Sequence, residues 1–94
     1  MKIKWLRKAL KNLQQEAEYI AKENPETARL VVQRIHKAVS QLAAEPAIGR
    51  PGRVLGTREL VVPQTRYIIP YRVRHNQVEI LRVFHTSRKA PHNW

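Results

Sequence analysis

Apolar residues in the first half of the chain recur at helical spacing, and in the second half they alternate at strand spacing. Leu6, Leu10, Leu13, Ala17 and Ile20 follow one another at intervals of 4, 3, 4 and 3, which marks one face of an amphipathic helix. Asn24-Pro25-Glu26 then reads as a helix start. Asn is a good N-cap, Pro suits the first helical position, and an acidic residue favours the positive end of the helix dipole. Ala28, Val31/Val32, Ile35, Ala38/Val39 and Leu42 share a face of this second helix, which ends near Ala44-Glu45-Pro46. So short a break between the helices predicts an antiparallel helical hairpin. Before it, Ile3–Leu6 is alternating and partly aromatic, and reads either as an opening strand or as the frayed start of the first helix.

After a Pro/Gly-rich loop over 46–57 come three β-branched or aromatic runs, Glu59–Val62, Tyr67–Val73 and Val78–Phe84. Short polar segments separate them, which predicts a three-stranded antiparallel meander. Pro70 lacks an amide donor, so a bulge or break is expected there. By alternation Tyr67, Ile69, Tyr71 and Val73 are expected to face the helices, unless a bulge at Pro70 inverts the assignment. Arg66, Ile68, Pro70 and Arg72 face away, joined by Arg82 if Val78, Ile80, Arg82 and Phe84 alternate together. The tail Ala90–Trp94 is expected to be mobile. The chain is expected to form one domain over 1–94, since this length supports a single core.

Charge changes the picture. The formal net charge is +11 for 94 residues. The half 48–94 holds 8 Arg and 1 Lys against Glu59 and Glu79 alone, and the half 1–47 holds 3 Arg and 6 Lys against five Glu. Such a field favours an anionic or acidic partner. There is no cysteine, so disulfides and Cys-based zinc sites are excluded; with no Asp and few Glu, no carboxylate-bridged metal site, Ser-His-Asp triad or aspartyl dyad is expected. No run approaches the ~20 apolar residues of a membrane span. Lys8, Lys11 and Asn12 interrupt the early apolar positions, so no signal peptide is expected and a cytoplasmic location is.

Candidate chemistry is thin. Glu16, Glu18, Glu23 and Glu26 read as a solvated helix face. His36 and Ser40 lie one turn apart without an orienting carboxylate and are read as structural. His75 and His92 have no ligand partners at metal spacing, so no metal or cofactor is expected. Gly49-Arg50-Pro51-Gly52-Arg53 reads as a turn with two solvated arginines or as a basic lip beside a binding surface. His85 either hydrogen-bonds the backbone at a strand end or serves as general base in metal-free RNA cleavage, with arginines stabilising the developing charge.

The order of strand, helical hairpin, Gly49-Arg50-Pro51-Gly52-Arg53 loop and meander resembles the RelE/ParE toxin superfamily of type II toxin–antitoxin modules. The residues that carry the resemblance are the loop, Gly56–Val62, Tyr67-Ile68-Ile69-Pro70-Tyr71-Arg72-Val73 and Val78–His85, and the ParE branch is the most similar. The resemblance implies an α+β fold: an N-terminal strand and an antiparallel helical hairpin packed on a twisted antiparallel sheet. It implies a toxin neutralised by a cognate acidic antitoxin.

RelE-like members cleave messenger RNA on the ribosome, whereas ParE-like members inhibit DNA gyrase and block replication. The nucleases typically carry Tyr-Arg-Leu-Val-Tyr in the middle strand, with the arginine on the phosphate. Ile68 stands there in this chain, Thr86 follows His85 where some relatives have Tyr, and Pro63-Gln64-Thr65 lacks their lysines. The expectation is therefore a non-enzymatic gyrase inhibitor, with Arg58, Arg66, Arg72, Arg82, His85 and Arg88 as target-binding residues. The enzymatic alternative is a metal-independent endoribonuclease using His85, Arg66 and Arg82. Direct binding of nucleic acid, as in a plain basic binding module, is the less favoured alternative.

Overall fold

The computed structural model describes residues 1–94. The elements run in the order β1 (Lys2–Trp5), α1 (Arg7–Ala21), α2 (Pro25–Ser40), β2 (Arg50–Pro51), β3 (Arg58–Val61), β4 (Tyr67–Arg74), β5 (Gln77–Ile80) and β6 (Phe84–His85), with a short 3-10 turn at Gln41–Ala43. The opening segment is thus a strand. The second helix starts as its sequence dictates: the Asn24 side chain accepts from the Thr27 amide, Pro25 stands at the first turn and Glu26 beside it.

The sheet has the order β1-β5-β4-β3-β2, with β6 also on β4. It is mixed, which corrects the wholly antiparallel expectation. β1 runs parallel to β5, with Ile3 opposite Val78 and Trp5 opposite Ile80, while every other pair is antiparallel. Parallel pairing needs a long crossover between strands, and here the whole helical hairpin and the first two meander strands intervene.

The hairpin between β4 and β5 turns on His75 and Asn76, at φ 53° and 61°. Two consecutive left-handed residues match the right-handed twist of the strands they join. The expected irregularity at Pro70 lies across the ladder. Tyr71 pairs with Ile80 and Ile68 with Phe84, so four steps on one strand oppose three on the other. Leu81–Val83 therefore bulge opposite Pro70, and the Leu81 amide donates to the Pro70 carbonyl at 2.9 Å. This extra residue breaks the alternation expected of Val78, Ile80, Arg82 and Phe84. Val78 and Ile80 face the helices, whereas Phe84 shares the outer face with Ile68.

The core lies between the hairpin and the inner face of the sheet. It gathers Ala9, Leu13, Ile35, Ala38, Val39 and Leu42 against Leu60, Tyr67, Ile69, Tyr71, Val78, Ile80 and Val83. Fully burying each large member contributes roughly 1.5–3 kcal/mol. Two expected members fall outside: Leu10 is 51% and Val73 46% exposed. In the first helix the buried stripe is Ala9, Leu13 and Glu16, one residue round from the expected face. The tail, expected to be mobile, is docked. The Trp94 ring meets Phe84 edge-on at 5.3 Å, and the Trp94 carbonyl accepts from Lys8 and Arg82. No helix is long and apolar enough to cross a membrane.

Candidate functional site

Glu16, the acid on the buried stripe of α1, organises the main cavity. It sits three residues after Leu13 and four before Ile20, so helix geometry turns it toward the sheet. There it accepts from the Tyr67 hydroxyl at 2.7 Å and from both terminal nitrogens of Arg88, at 2.6 and 3.2 Å. This corrects its reading as part of a solvated face. Burial alone would raise its carboxyl pKa. The hydrogen bonds from Arg88 and Tyr67, with the charges of Arg88 and His85, outweigh burial and hold it below the usual carboxylate range. Burial and the bond to Glu16 push the Tyr67 phenol well up, and the same carboxylate raises Arg88.

The cavity has a volume of about 460 Å³ and opens where the hairpin meets the ends of β4 and β6. Tyr19 and Ile20 of α1, Val31 of α2, Arg66 and Tyr67 at the start of β4, and His85, Ser87 and Arg88 line it. Register sets His85 opposite Tyr67, and their rings meet edge-on at 5.1 Å. The His85 Nδ1 accepts from the Ser87 amide at 3.2 Å and lies 2.7 Å from its hydroxyl. With Nδ1 accepting, the ring proton of the neutral imidazole sits on Nε2. Nε2 is then the donor of the His85 ring, and the Nδ1 lone pair is occupied.

The expected site residues do not form one cluster. Arg66, His85 and Arg88 share the cavity; Arg58, Arg72 and Arg82 do not line it. Arg58 donates to the carbonyls of Ala47 and Gly49 and holds the loop. Arg72 donates to Glu79 at 2.6 Å on the outer face, which lowers that carboxyl pKa. Arg82 donates to the Asn12 side chain at 2.7 Å. Of the six, Arg66 alone has a side chain with no hydrogen bond or ion pair within the chain, although its carbonyl accepts from the Thr86 amide at 2.8 Å. In the Gly/Pro loop, Arg50 and Arg53 bond Glu59, so neither is simply solvated. Sequence reasoning missed Glu16 and Ser87. The 3–4 spacing of Glu16 among apolar residues was a usable signal, whereas nothing in the local pattern marks Ser87. No cluster of three or more His, Cys, Asp or Glu capable of holding a metal is present.

Comparison with known proteins agrees with this architecture. The sequence profile described as "ParE toxin of type II toxin-antitoxin system, parDE" matches residues 3–90. A curated Sinorhizobium fredii relative named "Putative toxin Y4kP" is 48% identical over 90 residues, covering 96% of this chain and 93% of the relative. A chain from the solved "Chromosomal ParDE TA system from P. aeruginosa" is 34% identical and superimposes with a TM-score of 0.81, over 90% of this chain and 95% of that one. The hairpin-on-mixed-sheet architecture is therefore that of a toxin from a type II toxin–antitoxin system. Within that class, the chain belongs to the ParE toxin family, which implies an antitoxin protein as partner.

Proposed function

We propose that this ParE-type toxin acts in the cytoplasm by binding and inhibiting DNA gyrase, without bond chemistry of its own, and that a cognate acidic antitoxin neutralises it. The observation that carries the non-enzymatic reading is the state of the His85 cavity. A general base needs a free lone pair within reach of the proton it takes. The Nδ1 lone pair of His85 is occupied by Ser87, and the Arg88 guanidinium is committed to Glu16. Ile68, which stands where nuclease members carry the phosphate arginine, is buried on the outer face beside Phe84, away from His85.

Arg58, Arg66, Arg72, Arg82, His85 and Arg88 are proposed as target contacts. Arg66, exposed and with its side chain free of partners, offers the least hindered guanidinium. The antitoxin is proposed to lay an amphipathic acidic segment across the hairpin and the sheet. A shallow apolar groove between Ala17, Ala21, Ala28 and Val32 supports this, as does the charge of +11.

The test is a gyrase supercoiling assay with purified toxin, run beside a ribosome-bound messenger cleavage assay. Inhibition of supercoiling without cleavage is expected. Cleavage that disappears in His85→Ala, with gyrase unaffected, overturns the reading in favour of the endoribonuclease.

A further inference from the structure

The outer face of the sheet carries an ordered set of cations of which the toxin reading uses Arg72 alone. In β1, Ile3 and Trp5 face the core, so Lys2 and Lys4 point outward. Cross-strand register continues two rows over that face. Lys2 lies beside Gln77 and Gln77 beside Arg74; Lys4 lies beside Glu79 and Glu79 beside Arg72. A third row joins Arg50 to Glu59 and Glu59 to Pro70. Rows on one face are about 6.8 Å apart, and the four strand spacings from β1 to β2 span about 19 Å.

Two buried glutamates hold this array in place. Glu79 is 2.6 Å from Arg72 Nε and 3.7 Å from Arg74 Nε. Glu59 accepts from Arg50 at 3.2 Å and from the Arg53 amide at 2.8 Å, with Arg53 Nε at 3.5 Å. Arg72 uses Nε inward, so neither of its terminal nitrogens is engaged in a bond within the chain. The arginine side chains remain 34–54% exposed, and the glutamates 5% or less. Each buried carboxylate thus orients two guanidinium groups that stay open to solvent, and cations outnumber carboxylates.

We propose that this face binds the phosphate backbone of duplex DNA. Oriented guanidinium groups suit phosphate oxygens, which accept forked hydrogen bonds. A protein partner would need apolar anchors at the centre of its contact; the exposed members of the three rows are cationic or polar, and the exposed Leu55 belongs to a cavity beside Arg72, off those rows. A single strand read by stacking would need exposed aromatic rings, which the three rows also lack. Binding is therefore through phosphates and independent of sequence, with strong dependence on salt. This inference does not rest on the gyrase reading, because DNA binding is measured without gyrase.

The test uses a fluorescein-labelled 20-base-pair duplex, its anisotropy titrated with toxin between 50 and 200 mM salt. Each phosphate contact contributes about 0.9 to the slope of log affinity against log salt. The double variant Lys4→Gln/Arg74→Gln, shown folded by thermal melting, is expected to bind at least about tenfold more weakly at 50 mM, with a slope shallower by about 1.8. The control Lys11→Gln/Lys22→Gln, at exposed positions on α1 and its C-cap, is expected to bind as the parent does. Equal losses in the two doubles overturn the proposal, because overall charge would then explain binding. So does absence of salt-dependent binding, or unchanged DNA binding by the face variant accompanied by lost affinity for polyglutamate, which would assign the face to an acidic protein. Supercoiling inhibition measured on the same preparations keeps failure of the gyrase reading separately visible.

Discussion

The Tyr71 hydroxyl accepts a hydrogen bond from the Gly49 amide at 2.9 Å, fastening the Gly/Pro loop to the centre of the sheet. The same hydroxyl donates to the Pro46 carbonyl at 2.7 Å, so one phenol in the core holds both sides of the loop's entry. Burial raises its pKa, partly offset by the Gly49 amide.

A methyl group at Gly49 would lie 2.6 Å from the Tyr71 ring and hydroxyl. Gly49→Ala is therefore expected to cost about 1–3 kcal/mol through overpacking. Tyr71→Phe should cost a similar amount, about 1–3 kcal/mol, by leaving the buried Gly49 amide unpaired. Urea denaturation measures both; a Gly49→Ala protein as stable as the parent would refute the packing account.

Stability should fall at both extremes of pH. Glu16 and Glu79 have lowered carboxyl pKa values, so their contribution is present above the unfolded value of about 4.3 and is lost as pH falls below it. Tyr67 and Tyr71 are raised, so their contribution is present below the unfolded value of about 10 and is lost as pH rises beyond it. In Glu16→Gln the acid limb should flatten and neutral stability should drop by roughly 1–2 kcal/mol, limited by solvent around Arg88. Thermal melts from pH 2 to 11 check this, and an unaltered acid limb in the variant contradicts it.

Arg66 and Arg58 should separate target contact from folding. The Arg66 side chain has no partner in the chain, so Arg66→Ala is expected to change stability by less than about 0.5 kcal/mol while weakening gyrase inhibition. Arg58→Ala removes the donor to the Ala47 and Gly49 carbonyls and should cost about 1–2 kcal/mol. Denaturation paired with a supercoiling assay distinguishes them; the reverse pattern would show that Arg66 is the structural residue.

The docked tail predicts a contrast at Trp94. Its indole nitrogen is buried without an acceptor, so Trp94→Phe loses no hydrogen bond and should leave stability within about 0.5 kcal/mol. Trp94→Ala removes the contact with Phe84 and should cost about 1–2 kcal/mol. Similar losses in both variants would show that the edge-on contact with Phe84 is not the source of the ring's effect.

Local signals were legible where the chemistry is local. Asn24 caps α2 and Pro25 opens it as the spacing required, and the apolar stripe from Ala28 to Leu42 is the one that is buried. The middle strand runs one residue beyond its expected end, and His75-Asn76 is the turn after it. Pro70 announced an irregularity, but its place depends on the partner strand, which absorbs the extra residue at Leu81–Val83. The first helix was harder, because a glutamate on the buried stripe looks polar until its partners are known. The six expected contact residues were individually reasonable choices, yet only Arg66, His85 and Arg88 share a cavity.

By itself the sequence determined the helical hairpin, the meander and the excess of positive charge, because periodicity, capping and composition act within a few residues. It also carried the motifs of the ParE family across nearly the whole chain. Tertiary structure alone decided that β1 pairs in parallel with β5, that Glu16 is buried under Arg88 and Tyr67, and which arginines are bound or free. Those outcomes depend on groups far apart in sequence meeting: Ile3 with Val78 across the parallel pair, and Glu16 with Arg88, 72 residues apart, in a low-dielectric interior. There, a carboxylate is tolerable only when an arginine or phenol reaches it.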